Sequence, residues 1–451
     1  MGPNHNLILS GTEAFSKGSM DNVTLQDGCI VLDGHAGRHM PFGCYTSPEF
    51  ALPPFCNLNV SWNANTPTKT VVEAQCRILA GGVWTEWMTF GKWSPEYPRR
   101  SPGSIGYADN RIFCMSDGIT VAVPGGGTGV QLRVYLYSDD EKQTPTLRLL
   151  SASARPLAWE KQDGLPVNRT LYLPEYSLQS RDPSFGLSMD LPVILTAMLN
   201  RYGEDILPEE LAYGMSDGAT ASCRNAAYAA AMVSSCGYRC LQLWADIKDL
   251  RTEIRSGFAA AAELELPNAR DGDTHWVGVY GFSHDENRHN DIVLFHDPSA
   301  EPGEVARTLS LEDFRRVFTG RIVALRRRPH GFHGTRPSRV TCALKPGVEP
   351  GEYQFDRRGD PWPLPEDFDG WVAAAAHDGV AHATTAGRTF VRLEPLNDGG
   401  VKLPAALLTP GARYTVYAVD ETGAARVAEL RLPGTPPKPP AEEPAAKQSK
   451  R

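Results

Sequence analysis

The chain has 451 residues, which is too long for one ordinary hydrophobic core, so two or three domains are expected. Hydrophobic residues make up 41% and charged residues 22%, as in globular proteins, and no apolar run reaches the ~18 residues needed to cross a bilayer. A net charge of -8 argues against a nucleic acid or an anionic membrane as partner, because both bind basic patches.

The amino terminus, MGPNHNLILSGTEAF, has no basic start followed by an apolar core, so it does not predict a secretory signal. We therefore expect a cytoplasmic protein, or a secreted one whose leader has been removed. The nine cysteines are scattered without a disulfide framework and predict free thiols in a reducing compartment. Cys236 and Cys240 lack a second ligand pair, so neither a metal nor a cofactor is predicted from them.

Residues 1–160 predict an N-terminal β-sandwich. Short runs alternate apolar and polar residues, and turn clusters rich in Gly, Pro, Asn and Asp separate them. The runs are 58–62, 71–78, 131–137 and 146–150. Trp84 and Trp87 have an odd spacing, which puts them on opposite faces of a strand unless a bulge intervenes. Such aromatic side chains either fill a core or stack on sugar rings.

Residues 165–332 show a different periodicity and predict an α+β domain. Helical patterns come first, at 191–200, 225–233 and 247–254. Strand-like runs follow at 260–264, 276–282, 292–295 and 322–325.

Residues 336–434 return to short strand-like runs. They predict a small C-terminal β domain of the immunoglobulin or fibronectin type, with a hairpin at 414–420 followed by Gly423. The last segment, 435–451, is rich in Pro, Ala, Lys and Glu and predicts a disordered tail.

One stretch in the central region, GLSMDLPVILTAMLNRYG at 186–203, resembles the start of the central helix in papain-like cysteine peptidases. In the bacteriocin-leader-peptidase-like family (peptidase family C thirty-nine), this segment reads roughly Cys-Ser-Pro-Thr-Ser, an apolar helix, then Tyr-Gly. Pro192, Leu199, Tyr202 and Gly203 match that pattern, and Asp190 occupies the position of the nucleophilic cysteine.

Three further blocks in the same order extend the resemblance over about 165–330. His275 begins the run THWVGVYGF, Asp297 lies in FHDP, and Asn225 begins NAAYA. Gln179 follows LPEYS with one additional residue, Leu178. The resemblance implies a papain-like fold in which His275 is the catalytic base, Asp297 orients its ring and Gln179 donates to the oxyanion.

The beginning of the chain resembles the same family in a second place. Members often carry a β-sandwich before the catalytic domain, with a Ser-Trp-Asn stretch followed by a strand rich in Trp. Here that stretch is Ser61, Trp62 and Asn63.

The substitution at residue 190 leads to our main hypothesis, a pseudo-peptidase that binds a peptide or protein partner through a retained cleft. A thiol peptidase needs a cysteine at a helix N-terminus, where the helix dipole favours thiolate. Aspartate is among the best residues at helix N-caps, so Asp190 could also have a purely structural role.

Three alternatives stay open from the sequence. An active hydrolase could use Ser188 or Cys223 as nucleophile, or Asp190 as base toward water. Asp190, His275 and Asp297 could together bind a divalent metal ion. The protein could also be an adhesion or carbohydrate-binding protein built on its two β modules.

Overall fold

The computed structural model describes residues 5–95, 99–108, 111–181, 188–202, 204, 206–266, 273–285, 290–301, 303–326, 342–347, 349–355, 371–377, 390–396, 400–403, 411, 413–420 and 423–434. The chain forms two compact units, Met1–Pro337 with Asp420–Ala425, and Ser338–Val419 with Arg426–Arg451. The predicted tail at 435–451 lies outside the described residues.

The first part of the larger unit is built from strands, with one short helix, α1, at Gly11–Phe15. The strands are β1 Asn6–Ser10, β2 Ser19–Asp21, β3 Val23–Gln26, β4 Cys29–Leu32, β5 Gly34–His35, β6 Arg38–His39, β7 Phe42–Thr46, β8 Phe50–Asn65, β9 Thr70–Ala80, β10 Val83–Trp84, β11 Met88–Trp93, β12 Ile105–Tyr107, β13 Ile112–Cys114, β14 Ile119–Val121, β15 Gly127–Ser138 and β16 Thr146–Pro156.

Fourteen of these strands belong to one hydrogen-bonded system, in which β8 joins two groups of strands. The first residues of β8 pair with β15, and its remaining length pairs with β16. Buried and half-buried residues alternate along the whole of β9, as expected where one face of a strand lies on a core. The predicted β-sandwich is confirmed.

The second part of the larger unit contains helices and then an antiparallel sheet. After β17 at Arg169–Thr170 and a 3-10 turn at Leu178–Ser180 come α2 Asp190–Asn200, α3 Pro208–Met215, α4 Ala226–Ser235, β18 Arg239–Trp244, α5 Ile247–Ser256, β19 Ala260–Glu265, β20 Thr274–Asp285, β21 Asn290–His296, β22 Ala306–Ser310, α6 Leu311–Val317 and β23 Phe318–Arg326. The sheet order is β18-β23-β19-β20-β21-β22, and β17 pairs with β20.

Local sequence signals explain where the helices begin and end. Asn225 caps α4, since its side-chain oxygen accepts a hydrogen bond from the Tyr228 backbone N–H at 3.0 Å. Asp246 and Asp249 form a capping box at the start of α5. Gly257 ends that helix at φ 91°, a left-handed conformation that glycine adopts without strain. Helix α2 is buried on every side.

The sandwich and the α+β part share one continuous set of buried apolar residues. The stretch that resembles the family's Ser-Trp-Asn motif lies at their junction. Trp62 packs edge-on against Tyr228 of α4, with ring centroids 6.3 Å apart. Asn63 accepts a hydrogen bond from the backbone N–H of Cys240 at 3.0 Å and donates one to its carbonyl at 2.7 Å. Ser61 Oγ accepts from the N–H of Gln242 at 3.2 Å, so the outer edge of β18 is capped by sandwich side chains.

The smaller unit has its own buried core, which includes Tyr353, Phe355 and Val416. Its strands are β24 Cys342–Pro346, β25 Glu352–Phe355, β26 Trp371–His377, β27 Phe390–Pro395, β28 Val401–Lys402, β29 Arg413–Asp420 and β30 Gly423–Arg431. They close into a barrel in the order β24-β25-β28-β27-β26-β29-β30. The immunoglobulin-like or fibronectin-like sandwich is not confirmed, because β24 pairs in parallel with β30 and closes the ring.

The described helices include none that combines the length and the apolar character needed to cross a membrane.

Candidate functional site

Asp190 is the first residue of α2, and its side chain is buried with both carboxylate oxygens engaged. Oδ1 accepts a hydrogen bond from the Leu191 backbone N–H at 2.8 Å, one of the donors that a helix start leaves without a partner. Oδ2 accepts from the Trp276 backbone N–H, also at 2.8 Å. The carboxylate therefore joins the start of α2 to the start of β20.

Arg224 provides the counter-charge. Its Nη2 lies 3.0 Å from Asp190 Oδ2, and it also donates to the carbonyl oxygen of Thr274. Arg224 directly precedes the cap of α4, so three elements meet at this ion pair. Sequence reasoning missed this residue, although it stands immediately before the NAAYA block.

Burial raises the pKa of Asp190 to about 6, although Arg224 and two backbone N–H groups favour the charged form. The group is thus still an anion at neutral pH, held by three donors. A carboxylate satisfied in this way is a poor attacking group, because attack would break those interactions.

His275 and Asp297 lie on neighbouring strand ends of the same sheet. His275 Nε2 is 4.0 Å from Asp297 Oδ2, so the two groups face each other without a short hydrogen bond. Asp297 uses its other oxygen to accept from the Ser299 N–H at 2.9 Å, which forms the turn typical of Asp before proline.

The second ring nitrogen of His275, Nδ1, is buried, and no described residue hydrogen-bonds it. Burial lowers the pKa of His275, while the nearby Asp297 carboxylate acts in the opposite direction. The ring is therefore mostly neutral at neutral pH. Its Nε2 faces an acid, and its Nδ1 is the nitrogen through which it could accept a proton.

Gln179 lies in the 3-10 turn, and its side chain is exposed. This turn is docked onto the loop that follows Asp297. The backbone N–H of Leu178 donates to the Pro298 carbonyl at 2.8 Å, and Ser177 Oγ donates to the Ala300 carbonyl at 2.7 Å. Gln179 is thus held near the Asp297 turn through backbone contacts of its neighbours.

A thiol and a hydroxyl lie close to each other near the start of α2. Cys223 Sγ donates to the Ser188 carbonyl at 2.8 Å, and the Ser188 hydroxyl is 3.3 Å from the same sulfur. Burial raises the pKa of Cys223 to about 12. The thiol is therefore protonated at neutral pH and does not meet the requirement for a thiolate nucleophile.

A second network of charged side chains contacts the site through Thr274, whose carbonyl accepts from Arg224. Glu263 on β19 accepts from Thr274 Oγ1 at 3.2 Å and from Arg321 at 3.0 Å. Arg321 also donates to Asp117, in the loop between β13 and β14 of the sandwich, at 2.6 Å. Two carboxylates raise the pKa of Arg321 despite its burial. No local sequence pattern pointed to Glu263, Arg321 or Asp117, because their partners are distant in the chain.

Asp190, His275 and Asp297 do not form a metal site of the predicted kind. Among the residues that the structure describes, no group of three or more His, Cys, Asp or Glu side chains could hold a metal ion. The Asp190 carboxylate is instead engaged by Arg224 and backbone N–H groups.

Trp84 and Trp87 lie on the same side of the sandwich, contrary to the opposite faces expected from a continuous strand. The guanidinium carbon of Arg77 is 4.9 Å from the ring centroid of Trp84 and 5.2 Å from that of Trp87. The strand is interrupted between the two residues, because β10 ends at Trp84 and β11 begins at Met88. Arg133 covers Trp87 as well, at 4.0 Å.

Comparison with known proteins gives one family match. Residues 7–155 match the family model described as Peptidase C39 N-terminal domain. No curated protein matches the chain.

Two solved structures show low similarity. The carbohydrate recognition domain of Emp46p, in its potassium-bound form, is 13% identical over 31% of this chain and 89% of its own, with a TM-score of 0.18. A cycloisomaltooligosaccharide glucanotransferase of Paenibacillus sp., complexed with cycloisomaltoheptaose, is 8% identical over 88% of this chain and 44% of its own, with a TM-score of 0.19. TM-scores this low carry no argument about fold or function.

The family match falls on the sandwich, and that sandwich holds the edge of β18 and the Arg321 network behind the candidate site. The N-terminal part of the chain, residues 7–155, is therefore similar to the N-terminal domain described for C39 peptidases.

Proposed function

We propose that residues 165–332 are a papain-like peptidase homologue in which Asp190 has replaced the nucleophile. In this proposal the protein binds a peptide or protein partner in the retained cleft and does not cleave it by thiol chemistry. The observation that carries the proposal is the engagement of Asp190 by Arg224, Leu191 and Trp276.

The position of residue 190 supports the first half of the proposal. A cysteine peptidase presents its sulfur at a helix N-terminus, opposite a histidine held by an orienting acid. Asp190 begins α2 and hydrogen-bonds the residue directly after His275. His275 has Nε2 toward Asp297, and its buried Nδ1 is the nitrogen left to face a nucleophile.

The second part of the proposal, that the protein does not cleave its ligand by thiol chemistry, is supported by the poor nucleophiles near Asp190. Attack by the Asp190 carboxylate on a peptide would give a mixed anhydride and would require it to leave a buried ion pair. Cys223 contacts Ser188, two residues before Asp190, and burial keeps its thiol protonated. The active-hydrolase alternative needs one of these groups, or Ser188, to be activated by His275.

The carbohydrate-binding alternative has weaker support. Sugar rings stack on exposed aromatic faces. The rings of Trp84 and Trp87 are already contacted by Arg77, and Arg133 lies over Trp87. We therefore prefer a peptide or protein ligand. The cytoplasmic location and the absence of nucleic-acid and membrane partners stay predictions from charge and from the N-terminal sequence.

Catalysis can be tested on the wild-type protein. We expect no turnover of a mixed set of fluorogenic peptides. Iodoacetamide and a fluorophosphonate should leave Cys223 and Ser188 unlabelled in the folded protein, as mapped by mass spectrometry. Labelling of either residue that disappears in the His275→Ala variant would instead establish an active hydrolase.

Binding is tested separately with an immobilised random-peptide array, followed by fluorescence anisotropy of the selected sequences. Gln179→Ala and His275→Ala should weaken binding by about tenfold if each loses one hydrogen bond to the peptide. Gln143→Ala is the matched control, because Gln143 is exposed on the sandwich. Equal affinity of all three variants would contradict peptide binding at this cleft.

A further inference from the structure

A cavity of about 680 Å³ lies at the junction of the sandwich and the α+β part, and no residue of the candidate site lines it. Its walls come from the ends of β1, β3 and β16, from β4 and β8, and from the first residue of β18. Its described lining includes two basic residues, Arg148 and Arg239, and one acidic residue, Asp27. The lining therefore carries a net positive charge, in a protein whose overall charge is -8.

The two arginines are held in place by different elements. Arg148, on β16, donates to the Ser234 carbonyl near the end of α4. Arg239 is the first residue of β18, and Asn63 fixes the next residue, Cys240, through two backbone hydrogen bonds. Asn63 itself lines the cavity. The Arg148 guanidinium and the backbone beside Arg239 are therefore fixed, which reduces the ordering cost of binding a ligand.

Both guanidinium groups are half-buried, and the burial is unfavourable to their charge. It lowers the pKa of Arg148 to about 10, and it lowers the pKa of Arg239, where Arg326 acts in the same direction and Glu253 opposes it. Both nevertheless remain charged at neutral pH. The Nε atom of Arg239 is buried, and none of the described residues accepts a hydrogen bond from it. A bound anion could accept a hydrogen bond from this donor, which is unfavourable when buried without an acceptor.

We propose that this cavity binds a small organic anion through a phosphate or carboxylate group placed against Arg148 and Arg239. Guanidinium groups match such groups with paired, charge-assisted hydrogen bonds. The volume falls within the range of roughly 300–1,000 Å³ typical of small-molecule sites. Thr146 and Gln26 supply neutral polar groups for the rest of the ligand. The site is independent of the proposed peptide cleft.

The first test titrates inorganic phosphate and, separately, citrate into the full-length protein by calorimetry, with sodium chloride keeping the ionic strength constant. The two titrations separate phosphate from carboxylate recognition. Arg239→Gln should weaken the binding of the preferred anion by about tenfold or more. Asp27→Asn should strengthen it by about two- to threefold, because it removes the opposing carboxylate from an exposed turn. Failure of both anions to bind, or unchanged binding in Arg239→Gln, overturns the proposal.

A second readout does not depend on the folding of any variant. Cys29 lines the same cavity and is half-buried, so a bound anion should slow its maleimide labelling by about fivefold or more. Cys56 is equally half-buried but does not line the cavity, so it serves as the internal control. Peptide mapping by mass spectrometry reports both residues in one sample. Equal labelling rates of Cys29 with and without the anion contradict the proposal.

Discussion

The two halves of the candidate site differ in how completely their polar groups are satisfied. Around Asp190, three donors lie within 3.0 Å of a buried carboxylate. At His275, the facing carboxylate of Asp297 is 4.0 Å away, and a buried ring nitrogen has no described partner. The first half has the contacts of a structural ion pair, whereas the described residues leave the His275 ring only partly hydrogen-bonded.

The charge of Asp190 makes it depend on its neighbours in a way that the neutral His275 ring does not. A carboxylate placed at a buried helix start needs a nearby cation, because an unpaired charge there is strongly unfavourable. Arg224 meets that need and at the same time bridges α2 to β20. The His275 side needs no such compensation, since a neutral imidazole tolerates burial. Asp190 is therefore fixed by its surroundings, whereas His275 and Asp297 are not.

The largest expected effect on stability comes from breaking the ion pair between Asp190 and Arg224. Arg224→Ala removes the cation beside the buried Asp190 carboxyl, which must then stay unpaired or take up a proton, and the hydrogen bond to the Thr274 carbonyl is lost as well. The free energy of unfolding at neutral pH should fall by about 2 to 3 kcal/mol. Chemical denaturation measures this change. Arg316→Ala is the matched control: it removes exposed ion pairs with Glu312 and Asp313 and should cost less than about 1 kcal/mol.

The double variant Asp190→Asn/Arg224→Gln sharpens this test. It leaves no charge in the buried position, so it should recover part of the stability that Arg224→Ala loses. If Arg224→Ala lowers the free energy of unfolding by no more than Arg316→Ala does, then Arg224 does not hold Asp190 as described.

The next effect concerns how stability depends on pH, because Asp190 and His275 contribute to it with opposite signs. Asp190 has a pKa of about 6 in the folded chain against an ordinary 3.8, so its contribution to stability declines as the pH rises through that interval. The pKa of His275 lies below its ordinary 6.5, so its contribution declines as the pH falls below that value. The two trends oppose each other in the wild-type protein.

Removing either group should expose the other trend. Between about pH 4 and pH 7, Asp190→Asn should make the free energy of unfolding rise more steeply with pH than in the wild type, by about 2 to 3 kcal/mol over the interval. His275→Gln should make the free energy of unfolding rise less steeply with pH than in the wild type. Denaturation curves at a series of pH values measure both, and parallel profiles for all three proteins would contradict the assignment.

The smallest effect on stability is expected for the pair formed by His275 and Asp297. Asp297→Asn keeps the oxygen that accepts from the Ser299 N–H and removes only the charge facing His275. At 4.0 Å and with partial exposure, this pair should contribute less than about 1 kcal/mol to stability. The pKa of His275 should fall further, because Asp297 acts to raise it. NMR titration of the ring reports the shift, and a rise would be the wrong sign.

Much of the fold could be predicted because the signals are local. The helix expected at 191–200 is α2 at Asp190–Asn200, and the one expected at 247–254 is α5 at Ile247–Ser256. Periodicity and capping residues encode such elements within a few positions of sequence. Helices α3 and α6 were missed, although proline begins one and Ser310 caps the other.

The polar contacts of the site could not be predicted, because they join residues far apart in the chain. Asp117 and Arg321 come from different parts of the larger unit, as do Asn63 and Cys240. The barrel of the smaller unit was missed for a related reason: alternating strands fit a sandwich and a barrel equally well, and only the parallel pairing of β24 with β30 distinguishes them.

Restoring the thiol tests the central claim most directly. In Asp190→Cys, the introduced sulfur would stand at a helix start, beside Arg224 and next to the start of β20, the strand that carries His275. We expect iodoacetamide to alkylate it near pH 6, with a thiol pKa well below the ordinary value of about 8.5. His275→Ala in the same background should slow alkylation at that pH by about tenfold or more, and Arg224→Gln should reveal the separate share of the arginine. An unreactive thiol, or a pH profile unchanged by His275→Ala, would contradict the account of residue 190 as the former nucleophile position.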